Sequence, residues 1–160
     1  MRLVVIRWLS FLCFASFAFI ATASDMEPRE GWMVLPTDKP YERLIDDLKI
    51  AVKANKMGVV TQAGPTQAAA SRGITIPGNR IIGVFNNQFA VEVLGMSTAA
   101  MIEAPIRFYV TENIDGTATL SYKTPSYIFT PYVAEAGVGL SNTARKLDDI
   151  FQTIAEAAVR

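Results

Sequence analysis

Two short segments carry the densest polar chemistry in the chain. Ile106–Thr111 alternates, with Ile106, Phe108 and Val110 on one face and Arg107, Tyr109 and Thr111 on the other. Thr117–Lys123 alternates too, setting Thr117, Thr119, Ser121 and Lys123 opposite Ala118, Leu120 and Tyr122. Asn113-Ile114-Asp115-Gly116 between them predicts a hairpin turn. Pairing the two strands places Arg107, Tyr109, Thr119, Ser121 and Lys123 on one polar surface. Arg and Tyr favour interfaces, so this surface reads as a binding face or a dimer interface, against an ordinary solvated sheet face. Asn86 and Asn87 follow an apolar strand and offer either ligand contact at a sheet edge or a turn or helix cap. The candidate ligand-binding set is Asn86, Asn87, Arg107, Tyr109, Ser121 and Lys123. No catalytic residue and no metal ligand is assigned.

The composition narrows the chemistry. The chain has no His and one Cys, Cys13. Nucleophile pairs with His, His-ligated metals, imidazole proton shuttles and thiolate-rich zinc sites are excluded. Catalysis would fall to carboxylates such as Glu103 or Glu112, with Arg107 or Lys123 as electrostatic partner, in a hydrolase or isomerase. The adjacent pairs Asp46-Asp47 and Asp148-Asp149 diverge by roughly 100° on a helix, so neither makes a two-carboxylate acid/base site. Gly137-Val138-Gly139 lacks the third Gly, the preceding strand and the Lys-Ser/Thr pair of a phosphate loop. The methionines are dispersed and read as core packing. No cofactor fingerprint is present. The 15 Lys and Arg balance 15 Asp and Glu, which argues against a nucleic-acid partner. Tyr127, Phe129 and Tyr132 lie in a loop bounded by Pro125 and Pro131. They serve either as recognition aromatics for a sugar or peptide, or as rings folded onto the domain edge.

The elements that position these residues follow from periodicity. Gly31–Leu35 reads as a first strand ended by Pro36. Thr37 or Asp38 caps a helix carrying Leu44, Ile45, Leu48 and Val52 at helical spacing. Met57–Thr61 reads as a second strand, and Thr66–Ser71 as a short helix ended by Gly73. Arg80–Phe85 is apolar almost throughout, as a central strand covered on both faces would be. Phe89–Leu94 predicts a short helix broken by Gly95, with a further turn over Ser97–Glu103. Gly137 and Gly139 lead into a last helix, where Leu140, Ala144, Leu147, Phe151, Ile154 and Ala158 form one stripe. The order is β-α-β-α-β-α-β-β-α. It predicts an α+β fold, a mainly antiparallel sheet with helices packed on one face.

Residues 1–23 read as a signal peptide. Arg2 and Arg7 precede an apolar core, and Ala21-Thr22-Ala23 supplies the cleavage site. An uncleaved anchor is the alternative, because the uncharged run Trp8–Ser24 is at the short limit of a membrane span. Cleavage removes Arg2, Arg7 and Cys13. The remainder is mildly acidic and free of both Cys and His, which suits an oxidising compartment. Residues 24–30 read as a flexible lead-in and 31–160 as one domain. The expected location is the bacterial periplasm or exterior, with no membrane span after cleavage.

Several of these features occur together in a known order. Met57-Gly58-Val59-Val60 follows the first helix, and an Ala-rich stretch ends in Gly73-Ile74. Ile81 to Asn86 forms an Ile-Ile-Gly-Val-Phe-Asn strand, Ala104-Pro105 opens another, and Asp115-Gly116 precedes Ser121-Tyr122-Lys123-Thr124-Pro125. Together they resemble the bacterial domain-of-unknown-function family 302, over roughly Gly31 to Arg160. The resemblance implies a compact β-α-β-rich domain with a TATA-binding-protein-like sheet, often dimeric, and no established reaction. Relatives often carry Asn-Pro where this chain has Asn86-Asn87, and His where it has Thr66 and Gln67. A site built on that His in relatives would be altered here. The expected function is a binding or interaction module without catalysis, acting as a homodimer on a small molecule or an envelope protein. A carboxylate-based hydrolase or isomerase on the open sheet face is the alternative.

Overall fold

A computed structural model of the chain describes residues 26–160. The expected signal segment and cleavage site, and Cys13, lie outside the described residues. The five strands are β1 (Trp32–Pro40), β2 (Gly58–Ala63), β3 (Asn79–Phe85), β4 (Ile106–Glu112) and β5 (Thr117–Lys123). They form one sheet in the order β1-β5-β4-β3-β2, antiparallel at every pairing. The helices are α1 (Tyr41–Ala54), α2 (Thr66–Ala70), α3 (Asn87–Met96), α4 (Pro125–Phe129) and α5 (Val133–Val159). Short 3-10 turns cover Ala100–Glu103 and Thr130–Tyr132.

The alternating strands bury one face, as the patterning predicts. Ile106, Phe108 and Val110 of β4 and Ala118, Leu120 and Tyr122 of β5 are all buried. Against them lie Leu44, Ile45, Leu48 and Val52 of α1, with the Leu140–Ala158 stripe of α5. The molecule is an α+β fold whose antiparallel sheet carries α1 and α5 on one face. Among the described residues no helix is long and apolar enough to cross a membrane.

Several local expectations are corrected. β1 does not stop at Pro36 but runs on to Pro40, with a register shift between Thr37 and Pro40. An edge strand tolerates proline, because its outer row of backbone donors has no sheet partner. Thr37 is no helix cap. Its hydroxyl donates to the Ala118 carbonyl (2.8 Å) and accepts from the Lys39 backbone N–H (3.2 Å). α3 passes through Gly95 to Met96. β3 is not central and not covered on both faces: β4 holds the middle, and Ile81 is exposed. The Pro125–Pro131 stretch is helical, with Thr124 as cap and Pro125 in the first turn. The last helix has a full turn before Gly137, whose φ of 74° breaks it.

Lys39 ties the end of β1 to two helices. Its ammonium donates to Asp47 Oδ2 and to the Ala158 carbonyl near the end of α5, both at 2.7 Å. Arg43 donates to the same carboxylate oxygen at 3.0 Å. The Lys39 hydrogen bond, more than that of Arg43, holds the Asp47 carboxyl below its usual range. A lowered folded value gives stability that is present above about pH 4 and lost as pH falls through that value. Lys39→Met is expected to cost about 1–2 kcal/mol at neutral pH. Urea titrations check this. The difference shrinks in acid, where Asp47 is protonated, and an undiminished difference there would contradict the assignment.

Candidate functional site

The sheet's other face carries the polar residues, and antiparallel register arranges them in rows. Trp32 of β1 pairs with Lys123 of β5. Phe108 pairs with Tyr122, so Arg107 of β4 comes opposite Lys123. Arg107 in turn pairs with Gly83 of β3. The next row runs Val34, Ser121, Tyr109 and Ile81. Beyond it Thr111 pairs with Asn79. A ring, two cations, a phenol and an aliphatic side chain thus share one surface that the core helices leave open.

An open cavity of about 750 Å³ sits on these rows. Trp32, Lys123, Arg107, Tyr109 and Ile81 line it from the sheet. Its remaining wall comes from α4 and the flanking 3-10 turns, through Tyr127, Ile128, Pro131 and Glu103. Local chemistry sets that wall. The Thr124 hydroxyl accepts from the Tyr127 N–H (3.4 Å), and Asp148 of α5 accepts from the Ser126 N–H (2.9 Å). These two bonds satisfy donors at the start of α4. Gly31, at φ 72°, lets the Tyr127 ring lie directly on the backbone: a Cβ there would fall 2.1 Å from that ring.

The electrostatics of the cavity are mixed. Lys123 Nζ lies 5.5 Å from the Trp32 ring centre, and the Arg29 guanidinium 5.4 Å from it. Tyr109's hydroxyl accepts from the Asn79 side-chain amide. Glu103 Oε1 accepts from the Tyr132 hydroxyl at 2.7 Å, which pushes that phenol's pKa up. Glu103 is the one carboxylate among the lining residues.

The sequence-derived set divides. Arg107, Tyr109 and Lys123 come together in the cavity. Ser121 lies on the same face but is buried, its hydroxyl without a hydrogen-bond partner among the described residues. Thr119 is buried too and donates to Asn113 at the hairpin turn (3.0 Å). Asn86 and Asn87 are not in the cavity. Asn86 caps α3: its Oδ1 accepts from the Gln88 and Phe89 N–H groups, and its Nδ2 donates to the Lys56 carbonyl (2.9 Å). Lys56 is left-handed, at φ 58°, so Asn86 also braces a strained turn. Asn86→Ala is expected to cost about 1–2 kcal/mol in thermal or urea unfolding, as cap removals do. Ligand affinity at the cavity stays unchanged.

The three loop aromatics separate. Tyr127 lines the cavity, Phe129 enters the core, and Tyr132 binds Glu103. Glu112 is a structural acceptor for the Gly78 N–H (2.6 Å) and is not among the lining residues. Sequence reasoning missed Trp32, Asn79 and Ile81. Trp32 alternates with Val34 and Pro36, a period-two signal hidden by reading Pro36 as a stop. Ile81 was hidden by reading β3 as covered on both faces, and Asn79 by reading Pro77-Gly78-Asn79 as a turn that precedes the strand.

The family model for Domain of unknown function DUF302 matches residues 33–155. The chain belongs to this family. No curated protein gives a significant match. The crystal structure of an uncharacterized conserved DUF302 protein from Bacillus stearothermophilus is similar, with a TM-score of 0.72 and 17% sequence identity. The likeness covers 82% of this chain and 100% of that one. At that identity it carries the DUF302 fold and nothing of the site. All but Trp32 of the lining residues named above fall within the DUF302 match.

Proposed function

We propose that the chain is an exported, non-catalytic module that binds a small organic molecule on the open face of its sheet. The observation that carries this reading is the cavity of about 750 Å³, where aromatic and aliphatic walls stand beside Arg107, Lys123, Glu103 and Asn79. Small-molecule sites combine apolar walls with placed polar groups and fall within roughly 300–1,000 Å³. Export rests on the charged start, apolar core and Ala-x-Ala end of residues 1–23. The family resemblance adds a homodimer.

A thermal-shift screen of the purified protein against small amphipathic compounds tests the binding reading. Binders raise the melting temperature, and Ile81→Trp, which fills the cavity floor, abolishes the shift while the variant stays folded. The reading falls where no compound shifts the wild type or the filled variant responds equally. Sequencing the exported protein should find Ser24 first; an intact Met1 contradicts cleavage. Light scattering that gives one copy at micromolar concentration contradicts the homodimer.

A second reading has one observation behind it: Glu103 lies in the cavity with Arg107. A hydrolase or isomerase would use that carboxylate as its base. The donor on Glu103 from Tyr132 supports a structural role instead. Turnover of a bound compound that Glu103→Gln abolishes would favour the enzyme.

A further inference from the structure

Arg107 and Lys123 are an unusual pair of neighbours. Residues directly opposite on antiparallel strands have Cβ atoms about 4.5–5.5 Å apart, and like charges there repel. Opposite charges on such neighbours stabilise the pair. Here both side chains are cationic and exposed, and neither has a carboxylate partner among the described residues. The ion pairs among the described residues use Lys39, Arg43, Lys49 and Arg160. Glu103, the acidic residue of the lining, is engaged by Tyr132. Both cations line the cavity, with the Trp32 ring beside Lys123 on the same row.

We propose that the cavity's ligand is an organic anion with a flat apolar body, its acidic group held between Arg107 and Lys123. The inference rests on the reading of the cavity as a ligand site and names the ligand's class. An anion seated between two cations relieves their repulsion and forms charge-assisted hydrogen bonds with both. Trp32, Tyr127 and Ile81 then give the flat body apolar surface, and Tyr109 and Asn79 offer a polar contact further along. An inorganic anion would satisfy the cations but leave these walls wet. A neutral ring compound would cover the walls but leave the repulsion.

Three probes separate the possibilities: anilinonaphthalene sulfonate, the uncharged phenylnaphthylamine and inorganic phosphate. Each is titrated into the wild type, Lys123→Gln, the Arg107→Gln/Lys123→Gln pair, and Ile81→Trp. The sulfonate is expected to bind the wild type tightest. Each lost cation weakens it by about tenfold, the scale of one charged hydrogen bond, and Ile81→Trp abolishes it. The neutral probe does not respond to the charge changes.

Equal affinity for the sulfonate and its neutral analogue overturns the anion inference and leaves the cavity reading standing. So does sulfonate binding that survives loss of both cations. Phosphate binding as tightly as the sulfonate overturns the flat-body part. Binding of no probe, or binding unchanged in Ile81→Trp, overturns the cavity reading itself.

Discussion

Replacing Phe108 with alanine is expected to lower the unfolding free energy by about 3–5 kcal/mol. Phe108 sits in the middle of β4, the central strand, and is fully buried. Its ring stacks on Phe151 of α5, with centroids 4.7 Å apart and planes 14° apart. The edge of Tyr122 meets it at 5.1 Å and 63°. The three rings join the sheet to α5, so their neighbours are anchored on both sides and the vacated space cannot collapse. Domains of this size have about 5–15 kcal/mol in all. The variant should therefore unfold at far lower urea, near the limit of folding at physiological temperature. Circular dichroism against urea measures it, and a loss below about 2 kcal/mol would mean that the aromatic seat is not what fixes α5 to the sheet. Burial also pushes the Tyr122 phenol up to about 12, with the negative charge of Asp148 and Glu156 adding to it. This ring resists ionisation until strongly alkaline pH.

Gly31→Ala is expected to have the largest effect on the site. Gly31 is left-handed, at φ 72°, where a Cβ costs about 1 kcal/mol. The added Cβ would also overlap the Tyr127 ring, at 2.1 Å from its nearest atom. Tyr127 is 42% exposed, so it is free to rotate away rather than break the fold. The cavity then loses an aromatic wall next to Trp32. The expected result is a stability loss of about 1–2 kcal/mol with a fall in ligand affinity of about tenfold or more, the scale of a lost aromatic contact. Tyr127→Ala should reproduce the affinity loss without the stability loss. An alanine variant at Gly31 that binds as well as the wild type would remove Tyr127 from the site.

Local pattern encodes part of this site, and pairing between distant segments supplies the rest. The β4–β5 hairpin was legible because every signal in it is local. Side chains alternate with period two, Gly116 supplies the left-handed turn residue at φ 82°, and Asp115 accepts from the Thr117 N–H and hydroxyl. The α5 stripe was legible for the same reason. Arg107, Tyr109 and Lys123 therefore emerged as neighbours on one face before any tertiary information. The rest of the site depends on pairing between distant segments. Trp32 joins Lys123 only because β1 closes the sheet beside β5, and period-two alternation says nothing about strand order. Ile81 reaches the cavity floor only because β3 lies outside β4. Asn86 was readable as a cap from its chemistry, and its place at the start of α3 agrees with that alternative. The helical turn of α4 had a readable signal, Thr124 followed by Pro125, which the two bounding prolines obscured.

The open sheet face is proposed as the place where this DUF302 chain takes its ligand, in preference to any other exposed surface. The competing surface is the apolar outer side of α3 and the turn after it, where Val91, Leu94 and Ile102 are exposed. Amide NMR spectra of the labelled protein, titrated with anilinonaphthalene sulfonate, decide between them. Saturable shifts are expected at Trp32, Ile81, Arg107, Tyr109, Lys123 and Tyr127, with α3 unmoved. Shifts concentrated at Val91, Leu94 and Ile102, or shifts that never saturate, would contradict it.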